Sequence, residues 1–345
     1  MQSLSEGRSF NYGLALLKSL MCFEVVLDHF WMEDASIYLM PFKAMGLVAV
    51  PIFMFISFYL TERIFLDSDG KRIKKRIWRV CWPQIGWALI YYLAFKIAQL
   101  KINFGVRFKD FIWQIITGHS PVINQSMWFQ TVLIVLTLVY FLIFKFMKTE
   151  KGIAVTYVMM FLALIIQYTG INIKLFNSLR YELKYPLGRF CEMVPYATLG
   201  FSCAYYNVFE KIKSYVSTTK IFFLIMFGMN FIFLFNYEVI NAAPGFGYSN
   251  NNFIPISLFM TGFAFLIPFE NLSEKIKRVI KFFTGYTLGI YCMHRLVGEF
   301  FLRIFPKLGI EVNGFVLCIV IYIVSFIISY VMYRIPLKLI KQLVN

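Results

Sequence analysis

Long apolar runs, separated by short polar connections, form the main pattern of this chain. The runs fall at 12–30, 38–60, 78–98, 127–147, 153–169, 190–206, 220–237, 253–269, 283–303 and 314–333. Each is long enough to cross a hydrocarbon core of roughly 30 Å with some tilt. The pattern predicts an all-α fold, a polytopic transmembrane helical bundle of about ten spans in a single domain, 1–345.

The composition supports a membrane protein. Hydrophobic residues make up 59% of the 345 residues and charged residues only 15%, which is too apolar for a globule whose whole surface is wetted. The first run carries Lys18, Glu24 and Asp28, and no small-residue cleavage site follows it. We therefore expect this run to stay in the mature protein.

The net charge of +16 comes from basic clusters in the connections between runs. This distribution indicates topology and not a nucleic-acid partner. The connection from Thr61 to Arg79 is the most basic and is placed inside, because cytoplasmic loops are enriched in Lys and Arg. Alternation then puts both termini in the cytoplasm, and we expect a bacterial inner membrane. The other basic inner connections contain Lys148, Lys151, Lys211, Lys213, Lys275, Lys277, Arg278, Lys281, Lys338 and Lys341.

Two outer connections and the cysteines have features of their own. Phe108 to Thr117 resembles an interfacial or re-entrant helix. Phe235 to Phe253 mixes aromatic and Asn residues, which suits either a saccharide-binding surface or an interfacial belt with a flexible loop. All six cysteines lie in apolar stretches, so we expect neither a disulfide framework nor a metal site.

Charged residues inside spans mark the candidate site, because they are costly in lipid and usually face a bundle interior. Lys18 and His29 are eleven residues apart, which puts them within roughly 20° of one helix face and about 16 Å apart. Lys18 is either a functional cation or a snorkelling one. His29 is a candidate general base, since imidazole titrates near neutral pH. Its place near a span end is equally consistent with a structural role.

Arg76 and Arg79 enter the third span from the basic connection. Their i, i+3 spacing puts both guanidinium groups on one face. Such a pair suits bidentate phosphate recognition, although an ordinary positive-inside anchor explains it equally well.

Several motifs together resemble the acyltransferase-3 family of integral membrane O-acyltransferases. KSLMCFEVVLDH, from Lys18 to His29, has the family's Arg–ten residues–His spacing with Lys in place of Arg. VPIFMFISFYL keeps Ser57 of the family's Ser-Gly-Phe-Leu but has Phe58 where Gly is usual. KKRIWRVCWP matches Arg-x-x-Arg followed by Pro, at Arg76 and Arg79.

Three later motifs extend the resemblance over most of the chain. SMWFQ keeps Trp128 and Phe129 of His-Leu-Trp-Phe-Leu but lacks its His. GRFCEMVPYATLGF and YTLGIYCMHRLV resemble the family's Pro-Tyr/Phe…Leu-Gly and Leu-Gly-Ile-Tyr…His motifs, the second containing His294.

The resemblance implies transfer of an acyl group from cytoplasmic acyl-CoA to a hydroxyl of a surface or cell-wall saccharide. Acyl-CoA is then a co-substrate, with acetyl the default and succinyl an alternative. His29 is the implied base, Lys18 its catalytic partner, and Arg76 and Arg79 the CoA phosphate site. Further candidates to support these residues are Glu24, Asp28, Ser57, Trp128 and His294.

Two other classes of protein fit the sequence. A carrier or flippase for polysaccharide or lipid-linked sugar also needs intramembrane charges, but it needs no cytoplasmic CoA site. A structural membrane subunit has no use for Lys18 or His29. The sequence also leaves open whether the protein is a homo-oligomer.

Overall fold

The computed structural model describes residues 10–30, 40–102, 105–120, 123–124, 126–168, 181–215 and 272–344. Over these ranges the chain is helical and has no strand, which confirms the all-α membrane bundle. The helices are α1 Tyr12–Phe30, α2 Met40–Tyr59, α3 Glu62–Leu66, α4 Gly70–Ile102, α5 Phe108–Thr117, α6 Trp128–Phe146, α7 Thr149–Tyr168, α8 Tyr181–Tyr205, α9 Val208–Tyr215, α10 Glu274–Thr284, α11 Thr287–Ile304, α12 Gly314–Arg334 and α13 Lys338–Val344.

Eight of the predicted spans coincide with described helices, namely α1, α2, α4, α6, α7, α8, α11 and α12. The predicted spans 220–237 and 253–269, and the connection from Phe235 to Phe253, lie outside the described residues. The total of about ten spans therefore stays a prediction. The short helix predicted from Phe108 to Thr117 is present as α5.

Some helices begin or end at different residues from the apolar runs, because a helix can continue beyond the apolar stretch. α4 begins at Gly70, eight residues before its predicted span, because Lys and Arg are good helix formers. The basic connection after Thr61 is therefore mostly helical. The run predicted to start at residue 283 is broken instead, since α10 ends at Thr284 and α11 starts at Thr287.

The outer surfaces of the bundle are apolar, as contact with lipid requires. On α7, Val158, Phe161, Leu162 and Ile165 are between 49% and 60% exposed. By length and composition, three described stretches qualify most clearly as membrane spans: Trp128–Phe146, Thr149–Ile166 and Gly314–Arg334. α1 lies outside this group because it carries three charged residues, Lys18, Glu24 and Asp28, and these residues are the ones that make it a candidate for chemistry.

The central helix α1 packs against α2, α10, α11 and α12, while α2 packs against α8. Where α8 crosses α2, a side chain on Gly200 would collide with the backbone carbonyl of Phe55. Glycine therefore permits the close approach there. Phe58, at the position where the family usually has Gly, is fully buried against the ring of Tyr140 at 4.7 Å between centroids.

The C-terminal helix α13 is docked against the bundle. The indole N–H groups of Trp82 and Trp87 donate to the carbonyls of Leu339 and Leu343 at 2.8 and 2.9 Å. Leu343 and Val344 are buried. The predicted cytoplasmic tail is therefore a packed element next to α4 and α11.

Candidate active site

The candidate catalytic histidine, His29, lies one residue before the end of α1. Its Nε2 is 3.1 Å from the Oγ of Ser126, in the connection that precedes α6. Its ring stacks on that of His294 from α11, with centroids 5.2 Å apart and planes 17° apart. We call this pair of rings the histidine stack.

His294 is fully buried, and its proton can be assigned from its partners. The Nδ1 lies 2.6 Å from the Tyr291 carbonyl and 3.3 Å from the Ile290 carbonyl. Carbonyls only accept hydrogen bonds, so Nδ1 carries the proton and Nε2 is a free acceptor. This Nε2 has no partner among the residues that the structure describes. The stack therefore presents an uncommitted proton acceptor next to His29.

Ser126 is held through both its backbone N–H and its backbone carbonyl. Its N–H donates to the Asn124 side-chain oxygen at 2.8 Å, and the Tyr291 hydroxyl donates to its carbonyl. Ser126 is only 2% exposed. Its hydroxyl is thus directed at His29 by a backbone that is hydrogen-bonded at both its N–H and its carbonyl.

Gly118 brings the preceding connection close to the start of α6. It ends α5 in the left-handed conformation, with φ of 68°. A Cβ here would lie 2.5 Å from the Met127 carbonyl oxygen and 2.8 Å from the Trp128 Cα. Gln114 donates to the Gly118 carbonyl at 2.8 Å. Only glycine fits this position, and the contact fixes the backbone next to Ser126.

Two features position α11 around His294, a close approach to α1 and a pair of hydrogen bonds from α4. Gly298 faces the ring of Phe30, and a Cβ on Gly298 would collide with that ring. The Tyr91 hydroxyl from α4 donates to the Cys292 carbonyl at 2.9 Å and accepts from the Leu296 N–H at 3.0 Å. It thereby bridges an i, i+4 pair of α11, on the turn that contains His294.

The face of α1 that was predicted to carry Lys18 and His29 packs against α11 over part of its length. Cys22 donates to the Thr287 carbonyl at 3.4 Å, and Val25 is 3% exposed. Lys18 is partly buried and makes no hydrogen bond or ion pair with any described residue. An intramembrane ammonium without a protein partner is available to a ligand.

The acidic candidates on α1 take different positions. Glu24 is 5% exposed, and its Oε2 has no hydrogen-bond partner within the described ranges. Asp28 is exposed. Neither is brought to His29 by a described hydrogen bond, so a direct role for them in orienting His29 stays a prediction.

Trp128 opens α6 two residues after Ser126 and carries a cation on its face. The Arg189 guanidinium lies 4.7 Å from the ring centroid, and Arg189 is paired with Glu192 at 2.7 Å. Cation–π contact of this kind is stabilising when desolvated. Trp128 thus links the start of α6 to α8.

The arginine pair on α4 is unequal. The Nη2 of Arg76 donates to the Ser57 hydroxyl at 2.5 Å and to its carbonyl at 3.3 Å. The Nε of Arg76 is buried and has no partner in the described part of the chain. Arg79 is partly buried and has no hydrogen bond to any described residue. Arg76 therefore ties α4 to α2, and Arg79 retains its full set of donors.

The sequence profile of the acyltransferase-3 family, an acyltransferase domain, matches residues 11–334. The chain belongs to the acyltransferase-3 family. No curated protein and no solved structure matches it. As a member of this family the protein is an integral membrane acyltransferase. The family assignment decides against the carrier and the inactive structural subunit that the sequence left open.

Sequence reasoning missed three residues that shape this acyltransferase's site, Ser126, Tyr291 and Tyr91. One signal was available, because Ser126 occupies the position of the His in the family's His-Leu-Trp-Phe-Leu motif. The hydroxyl that replaces this His contacts His29. A second signal marked Tyr291, which is the Tyr of the Leu-Gly-Ile-Tyr…His motif. Tyr91 had no distinguishing pattern among 21 Tyr.

Proposed function

We propose that this acyltransferase moves an acyl group from cytoplasmic acyl-CoA to a hydroxyl of an extracytoplasmic saccharide or glycoconjugate. Acetyl is the default acyl group and succinyl the alternative. The observation that carries the proposal is the contact of the His29 Nε2 with a buried hydroxyl, next to the stacked ring of His294. Proton transfer during acyl transfer needs a base within hydrogen-bond distance of the hydroxyl that loses its proton.

His29 acts as the general base in this proposal. It takes the proton from an attacking hydroxyl as the oxygen bonds to the thioester carbonyl, and the carbon–sulfur bond then breaks. The proton passes to the CoA thiolate. Lys18, which has no hydrogen-bond partner among described residues, orients the thioester arm or stabilises developing negative charge.

In this proposal Arg76 and Arg79, at the cytoplasmic end of the bundle, bind the CoA phosphates. Arg79 provides most of the recognition, since its guanidinium makes no hydrogen bond within the described residues. Arg76 contributes the donors that Ser57 does not use. Charge-assisted bonds from guanidinium groups to phosphate are roughly twice as strong as neutral ones.

One transmembrane domain, 1–345, carries both ends of the reaction. The basic stretch that begins α4 lies at the cytoplasmic face of a bacterial inner membrane, with both termini inside. The partners are acyl-CoA, the lipid bilayer and a surface or cell-wall saccharide. The acyl group is thereby passed along the bundle and not through water.

Reconstituted vesicles test this function. Purified protein receives labelled acetyl-CoA or succinyl-CoA on both sides, together with de-O-acylated surface saccharides from the producing cell. We expect CoA release and base-labile label on the saccharide with one donor. CoA release no greater than that of protein-free vesicles, with both donors, would contradict the proposal.

A further inference from the structure

The Ser126 hydroxyl has the surroundings of an activated nucleophile. A serine is activated by a base within about 2.6–3.2 Å when a third group orients that base. Here the separation from the His29 Nε2 is 3.1 Å, and the His294 ring is stacked on the imidazole of His29. A serine that only filled space in a core would need no histidine opposite its oxygen.

The start of α6 adds a second element. Ser126 stands directly before Met127, the residue that caps α6. The first N–H groups of a helix have no partner within it, and those of Trp128 and Phe129 begin α6 close to Ser126. Such groups stabilise an oxyanion that forms nearby. Gly118 and Asn124 fix this backbone.

We infer that Ser126 is a covalent acyl carrier, a deepening that rests on the proposed function. In the first step, the Ser126 oxygen attacks the thioester carbonyl, and His29 takes the hydroxyl proton. The carbon–sulfur bond breaks, and the CoA thiolate receives that proton and leaves. An oxygen ester on Ser126 remains, and no oxidant or further reactant is needed.

In the second step, an acceptor hydroxyl replaces CoA. The Nε2 of His29, freed from the serine hydroxyl by acylation, takes the proton of the acceptor. The acceptor oxygen attacks the ester carbonyl, the bond to Ser126 breaks, and the proton returns to the serine oxygen. Donor and acceptor are then bound at different times, which suits substrates that arrive from opposite sides of a membrane.

Isotope exchange distinguishes this two-step route from direct transfer. The purified full chain is mixed with unlabelled acetyl-CoA and labelled CoA, with no saccharide present. Label enters acetyl-CoA only if the enzyme gives up CoA while it keeps the acyl group. We expect exchange in the native protein, and mass spectrometry should find one acetyl group on the peptide that contains Ser126.

Three variants assign the exchange to this serine. Ser126→Ala should lower exchange and transfer by at least about 10²-fold while CoA binding is retained. Ser126→Cys keeps a nucleophile and should retain exchange, which excludes misfolding as the cause. Ser120→Ala removes a buried hydroxyl from the same connection, one that accepts from the backbone N–H of Ile123, and should leave exchange within about twofold.

The outcomes separate the inference from the function it rests on. Saccharide acylation by the native protein without exchange or adduct would overturn the covalent step and keep the function. Transfer by Ser126→Ala near the native level would do the same. No CoA release and no transfer under any condition would contradict the proposed function itself.

Discussion

At the residue scale, Lys18 stands where the family motif that this sequence resembles has Arg. Its ammonium has no protein partner among the described residues. Lys18→Arg should keep acyl transfer within about tenfold of native, because the charge stays and donors are added. Lys18→Ala should lose more, about 10²-fold or greater, as expected for a lost electrostatic group. Transfer per folded molecule measures both, and equal activity of native and Lys18→Ala protein would remove Lys18 from the site.

The second prediction is that Arg76 and Arg79 both contribute to CoA binding, whereas only Arg76 also contributes to the stability of the fold. Arg79→Ala should weaken CoA binding by calorimetry and leave the thermal unfolding midpoint nearly unchanged. Arg76→Ala should weaken binding and also lower the midpoint, because it breaks the bond to Ser57 that joins α4 to α2. Arg79→Lys is the control and should lose less affinity than Arg79→Ala. Unchanged CoA affinity in the double Ala variant would move the CoA site elsewhere.

The residues of the site differ in how visible they were in the sequence. Lys18 and His29 lie on one helix, so their common face follows from spacing alone. Ser126 is 97 positions from His29, and their contact depends on how the connection before α6 packs. That packing is set by Gly118 and Asn124, whose roles appear only when the backbone is folded.

At the element scale, the crossing of α2 and α8 depends on one glycine. Gly200→Ala places a Cβ against the Phe55 backbone carbonyl, which cannot rotate away. Overpacking of this kind costs about 1–3 kcal/mol, so the unfolding midpoint in detergent should fall. Gly188→Ala on the same helix is the matched control, since nothing lies within 4 Å of its added Cβ. A midpoint for Gly200→Ala equal to that of Gly188→Ala would contradict the crossing.

Hydrophobic runs predicted the helices better than their ends. The runs mark what lipid must cover, and α1, α6 and α12 follow them within one or two residues. α4 extends past its run at both ends and α8 extends past its run at the start, because a helix does not stop where the apolar stretch stops. The break between α10 and α11 had no sequence signal beyond Gly285.

At the scale of the whole molecule, the basic connection from Thr61 to Arg79 predicts the orientation in the membrane. In a variant without its six native cysteines, Lys71→Cys should resist an impermeant maleimide added to intact cells if the start of α4 lies inside, as proposed. Lys307→Cys, between α11 and α12, should react. Both side chains are exposed, so access to the reagent decides the result. Ready labelling of Lys71→Cys with none of Lys307→Cys would invert the topology.

The central claim is that His29 performs the chemistry, and one variant tests it most directly. A positioned base contributes about 10²–10⁴-fold in rate, so His29→Ala should lower acyl transfer from acetyl-CoA to saccharide by at least that order. CoA binding and the amount of folded protein should stay near native, because the lost contact is with Ser126 and not with the arginine pair. Transfer is measured per folded molecule. A His29→Ala protein that is less stable yet transfers acyl groups at nearly the native rate would contradict the account.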